Sequence, residues 1–145
     1  RTSVIKGVLW HQGEADCGED LYPLYEEKFV KIMSSFREDL KLYDVPFLLG
    51  GLGDFLKNCE FSEDLKNYYH INKILEDIAN KNYMTGFVPA DGLSANIDNL
   101  HFNAKSLREF GMRYYHVFKK IAVRGKSFSE NSLMNDTARS KMEWL

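Results

Sequence analysis

Asp98 and His101 stand three residues apart in the run Asp98-Asn99-Leu100-His101-Phe102. At that spacing a carboxylate can hold one ring nitrogen of the imidazole while the other nitrogen faces a nucleophile. An imidazole titrates near neutrality, so it can take a hydroxyl proton and return it to a leaving group. Far upstream, Trp10-His11-Gln12-Gly13-Glu14-Ala15-Asp16 collects polar groups around a glycine. Gln12 offers a neutral N–H donor suited to an oxyanion hole, where donors meet the charge that develops on a carbonyl oxygen. Glu14 is a second carboxylate in the same run; it could orient His101, bind substrate or cap the helix that follows. Together these residues suggest a hydrolase site.

Each residue also has a plainer reading. Asp98 can cap a turn while His101 fills a boundary position, and Gln12 can be a buried amide paired with backbone. His11 has no partner ligand at a metal-binding spacing and reads as structural, and Trp10 reads as core or pocket wall. Ser3, Ser34, Ser35, Ser62, Ser94 and Ser106 lie in no nucleophile motif, so none is assigned that role. The run Gly50-Gly51-Leu52-Gly53 lacks the Lys-Ser/Thr of a P-loop and does not match Gly-x-Gly-x-x-Gly, which leaves a tight turn. Cys17 and Cys59 are too few and too far apart for a disulfide scaffold or a zinc knuckle and read as free thiols. The reading calls for no cofactor and no metal.

Three apolar runs at 4–10, 45–49 and 83–88 are the strand candidates that must deliver these groups. Pro46 sits at the start of the second, where a missing N–H costs least. Such short, near-continuous runs suit strands covered on both faces. Between them lie helical patterns. Tyr25, Phe29, Ile32, Met33, Phe36 and Leu40 form one stripe over 21–42. Leu65, Tyr68 or Tyr69, Ile71 or Asn72, Leu75 and Ile78 mark a helix over 62–80. Leu107, Phe110, Tyr114 and Phe118 mark another over 103–121, with Asn103 as its N-cap. Strand and helix alternate, which predicts right-handed crossovers and a parallel sheet with helices on its faces. Ligands of such sheets gather at the carboxyl ends of the strands, and all three runs end in polar or glycine-rich loops there.

The chain has 145 residues, of which 44% are hydrophobic and 28% charged, enough for one globular domain with a fair core. A formal net charge of −2 without a basic run argues against nucleic acid as a partner. No apolar stretch approaches the ~20 residues of a membrane span.

The block from Trp10 to Asp16, followed about ninety residues later by Asp98-x-x-His101-Phe102, resembles the SGNH (GDSL-type) hydrolase superfamily. It looks most like the branch of acetylxylan esterases and sialate O-acetylesterases. Pro46-x-x-x-Gly50-Gly51-Leu52-Gly53-Asp54-Phe55 is similar to a loop of that branch, and the resemblance covers about residues 3 to 120.

The resemblance implies a three-layer α/β/α, flavodoxin-like fold and a Ser-His-acid mechanism that removes acetyl groups from sugars. His101 would be the base, Asp98 the acid, and Gln12 the side-chain oxyanion donor. Glu14 matches the glutamate of the family's Gln-Gly-Glu block and would share or take over the orienting role. The family's nucleophile lies in a Gly-Gln-Ser-Asn type block that this chain does not contain. Residues 1–122 are therefore expected to be the C-terminal part of the hydrolase domain, and 123–145 an appendage. Acetylated carbohydrate is the expected ligand, and self-association or pairing with a missing N-terminal half is expected. A non-catalytic split or decayed domain, binding carbohydrate or a partner chain, is the alternative. A metal-dependent deacetylase is a weaker option, because His11, His70 and His101 lack ligand spacing.

Overall fold

The computed structural model describes residues 3–142. Its order is β1 (Val8–Trp10), a 3₁₀ turn (Glu14–Asp16), α1 (Tyr22–Asp39), β2 (Phe47–Gly50), a second 3₁₀ turn (Asp54–Asn58), α2 (Ser62–Leu65), α3 (Tyr68–Lys81), β3 (Thr85–Val88) and α4 (Ala104–Met142). The three strands form one sheet in the order β1-β2-β3, and both pairings are parallel.

The register decides which residues meet which helix, because successive side chains leave a strand on opposite faces. Val8, Phe47 and Thr85 are aligned, as are Leu9, Leu48 and Gly86. The first row faces α1: Phe47 packs edge-on to Phe29 and Phe36, and the Thr85 hydroxyl lies 3.9 Å from the Met33 sulfur. The second row faces α4, where Val117 and Ile121 stand over Gly86 and leave no room for a Cβ there. Contacts between α1 and α3, and between α3 and the sheet, put α3 on the α1 side. The result is three layers, with α1 and α3 on one face and α4 on the other. The apolar stripes set this arrangement: Tyr25, Phe29 and Met33 on α1 and Ile71, Leu75 and Ile78 on α3 are all buried.

Three expectations change. The strand over 4–10 is paired only from Val8, and Val4 and Ile5 are exposed. Only β2 is buried along its whole length; on β1, Leu9 is 65% exposed. The helix over 62–80 is two helices. At the break, Asn67 is buried and its amide donates to the Cys17 carbonyl at 2.9 Å. A buried amide must find a partner, and this one lies across the fold rather than along a helix.

The helix expected to end at Ile121 instead runs to Met142, without a break at the junction with the expected appendage. No proline interrupts 104–142, and a helix anchored by a packed first half can propagate without an apolar stripe. Its start is as expected: Asn103 Oδ1 accepts the Ser106 N–H at 2.9 Å. Residues 143–145 of the expected appendage lie outside the described residues.

Candidate active site

Asp98 and His101 lie on a tight loop between β3 and α4. An antiparallel bridge joins Ala95 to Phe102 and closes the loop, and the Asn96 N–H donates to the His101 carbonyl at 2.8 Å. Asn103 reaches back with its side-chain amide to the Ala95 carbonyl at 3.2 Å, and the buried Ser106 hydroxyl accepts the Ser94 N–H at 2.8 Å. Inside this frame the Asp98 carboxylate has two tasks. Oδ1 accepts the backbone N–H groups of Leu100 and His101 at 3.0 and 3.1 Å. Oδ2 lies 2.9 Å from His101 Nδ1. The turn between them needs Asn99 at φ 51°, a conformation that asparagine tolerates better than most residues.

These contacts fix the charge and the tautomer. The bond from His101, then those from the two backbone N–H groups, hold the Asp98 carboxyl down at about 2, so it is ionised at any ordinary pH. An ionised carboxylate only accepts, so Nδ1 donates to it and Nε2 is the ring nitrogen left for another partner. The His101 side chain is 72% exposed, so Nε2 is accessible.

The loop after β1 is built differently. Gly13 has φ 150°, and a Cβ there would stand 2.7 Å from the Ile71 methyl group, so glycine is required on both counts. The Gln12 carbonyl accepts the Tyr25 hydroxyl at 2.9 Å, and that hydroxyl in turn accepts the Trp10 indole N–H at 3.2 Å. Burial pushes the Tyr25 hydroxyl up to about 12, against the lowering effect of the Trp10 bond, so it remains a donor. Gln12 Nε2 donates to Asp16 Oδ2 at 2.8 Å. An amide nitrogen carries two N–H donors, so this bond fixes the group and leaves one donor to spare. Cys17 closes the loop as a buried thiol, raised to about 12 by burial and by the carboxylates of Glu14 and Asp16. It is therefore inert. Cys59 is likewise free and buried.

An aromatic cluster joins the loops. His11, at the end of β1, packs at 5.6 Å against both Phe102 and Phe110. Phe55, from the turn after β2, meets Phe102 edge-on at 4.8 Å. Tyr114 packs on Phe110 and donates its hydroxyl to the Trp10 carbonyl at 2.8 Å. The carboxyl ends of β1 and β2 thus share one apolar cluster with Phe102, the neighbour of His101. This is the sheet edge at which parallel α/β folds place their ligands. On the other side, Asn72 holds the loop after β2 by accepting the Leu52 N–H at 2.7 Å and donating to its carbonyl at 2.9 Å.

The structure therefore brings His101 to Asp98 and not to Glu14. Glu14 opens the 3₁₀ turn, and its backbone carbonyl accepts the Cys17 N–H. Among the described residues no hydroxyl is bonded to His101, and no group of three or more His, Cys, Asp or Glu side chains is placed to hold a metal ion. His70 stacks on Tyr22 at 4.7 Å and lies tilted against Tyr69 at 4.1 Å. Sequence reasoning missed Tyr25, Asn67 and Asn72 as supports of the two loops. Asn67 and Asn72 did carry a signal, since both interrupt an apolar helical pattern.

The sequence profile of a family described as carbohydrate esterase, sialic acid-specific acetylesterase, matches residues 1–120. The chain belongs to this family. The match takes in β1, β2, β3 and the start of α4, and with them Gln12, Glu14, Asp98 and His101. Curated proteins give no match.

Proposed function

We propose that this chain supplies the general base, its orienting acid and one oxyanion donor to a serine carbohydrate O-acetylesterase. The observation that carries the reading is the Asp98–His101 pair, with Nδ1 bound to an ionised carboxylate and Nε2 open. A serine hydroxyl gives its proton to His101 Nε2 as its oxygen attacks the acetyl carbonyl. The spare N–H of Gln12 meets the charge that develops on the carbonyl oxygen. His101 then gives the proton to the departing sugar oxygen, and a water molecule repeats the sequence on the acetyl-enzyme. Asp98 stabilises the imidazolium at both stages. Glu14, which is not bonded to His101, is left to the substrate.

The nucleophile comes from a segment N-terminal to Arg1. In support, the Ser106 hydroxyl is buried in the loop frame, and no serine of the described residues bonds His101. The outer edge of β1 is open, and Leu9 on it is exposed, which is where a further strand can pair. Fluorophosphonate labelling tests the proposal. The 145-residue chain should not be labelled, whereas the protein extended upstream should be labelled on one serine and should hydrolyse 4-nitrophenyl acetate. Labelling of a serine within the 145 residues would overturn it.

A further inference from the structure

The formal charge of −2 is unevenly divided along the chain. Residues 1–103 hold ten Lys and Arg against seventeen Asp and Glu, whereas residues 104–145 hold nine against four. The excess of cations therefore falls on α4. Phe110 and Tyr114 are buried on the sheet side of this helix. Its outward side carries Lys105, Arg108, Met112, Tyr115, Lys119 and Val123, all exposed. They recur at steps of three or four residues, so they form one row about 27 Å long. Elsewhere Lys31, Lys66, Lys73, Lys81 and Arg113 each pair with a carboxylate. Among the described residues Lys105, Arg108 and Lys119 pair with none, and Glu109, the single carboxylate of residues 104–123, is taken by Arg113. Lys119 Nζ lies 5.7 Å over the Tyr115 ring. Apolar groups stand among these charges: Met112, Tyr115 and Val123 are 53%, 51% and 66% exposed.

We propose that this face of α4 lies on an anionic lipid surface. The inference goes beyond the esterase reading and does not depend on it. Charge complementarity selects the partner. Cations without a carboxylate of their own meet the phosphates and carboxylates of lipid headgroups, while the excess of acidic groups sits outside this helix. A dissolved polyanion would use the cations alone. A bilayer interface also takes Met112, Tyr115 and Val123, whose side chains enter between the headgroups while the helix lies flat rather than spans. A straight row suits a plane.

Co-sedimentation of the 145-residue chain with lipid vesicles tests this. Vesicles of phosphatidylcholine with ~30% phosphatidylserine should bind the chain at least about tenfold better than phosphatidylcholine alone, and ~0.5 M salt should remove most of that binding. This comparison needs no variant, so it stands whatever a substitution does to folding. Lys105→Glu, Arg108→Glu and Lys119→Glu in one chain should abolish the binding. Met112→Ser with Tyr115→Ser keeps every cation; it should weaken binding to the anionic vesicles several-fold and leave binding to polyglutamate unchanged. Equal binding to the two vesicles, or anionic binding that survives the three charge reversals, would overturn the inference. So would full vesicle binding by the Met112 and Tyr115 variant, which would make the partner a dissolved polyanion instead.

Discussion

The Tyr114 hydroxyl donates to the Trp10 carbonyl across 104 positions of sequence, and it occupies the space that a side chain at Gly50 would need. One hydroxyl therefore ties α4 to the end of β1 and fixes the identity of the residue that ends β2. Burial pushes this hydroxyl up, so it stays a donor.

Tyr114→Phe should cost about 1 kcal/mol of stability, the worth of one such bond. Gly50→Ala should cost more, because a β-carbon there overlaps the Tyr114 hydroxyl and ring, and overpacking typically costs ~1–3 kcal/mol. The double variant should lose less than the sum, since removing the hydroxyl relieves part of the overlap. Urea unfolding of the three variants checks this; strict additivity would show that the two sites are not in contact.

Arg37 holds the other end of the sheet. Its guanidinium donates to the carbonyls of Leu42, Tyr43 and Val45 with one nitrogen, and to those of Tyr83 and Met84 with the other. Arg37→Lys keeps the charge but loses the planar fork that serves two loops at once. It should destabilise the fold by about 2 kcal/mol, within the ~1.5–3 kcal/mol range for hydrogen bonds to a charged group. Activity per folded molecule should not change, because the site lies at the opposite end of the strands. A Lys variant as stable as wild type in urea unfolding would contradict this role.

The α/β class, the parallel sheet and the Asp98–His101 pair were legible in the sequence because each is written locally, in apolar periodicity or a three-residue spacing. Asn103 was legible as a cap for the same reason. The split at Asn67 and the roles of Tyr25 and Asn72 were not. Each acts on a partner 13 to 50 positions away, and nothing in the local pattern names that partner. The continuation of α4 past Ile121 was hidden by a polar composition that looks like a tail. The frame of residues 94–106 that holds the Asp98–His101 contact uses partners outside the three-residue spacing and was not legible there.

The Asp98 carboxyl is held down at about 2 by His101 and the two backbone N–H groups. A carboxyl whose value is lowered on folding stabilises the fold above its unfolded value, and that contribution is lost as the pH falls toward the folded one. The contribution of Asp98 should therefore be complete above the ordinary aspartate range and fade as the pH falls from there toward about 2. A carbon-13 titration of the Asp98 carboxyl should give a midpoint near there. A midpoint at the ordinary value for aspartate would mean that the frame is not formed in solution.

Among the described residues Asp98 is bonded to the imidazole and Glu14 is not, so Asp98→Asn should lower kcat by about 10⁴, as loss of the correct tautomer does in comparable triads. Glu14→Gln should act mainly on KM. The measurement is steady-state hydrolysis of 4-nitrophenyl acetate and an acetylated xyloside by the upstream-extended protein. Equal losses of kcat in the two single variants would return Glu14 to the orienting role.

The central claim is that His101 is the base of an esterase, and its most direct test is the His101→Ala variant of the upstream-extended protein assayed on 4-nitrophenyl acetate. The kcat should fall by about 10⁴ or more, with fluorophosphonate labelling of the nucleophile slowed to match. A variant that keeps most of its activity and its labelling rate would contradict it.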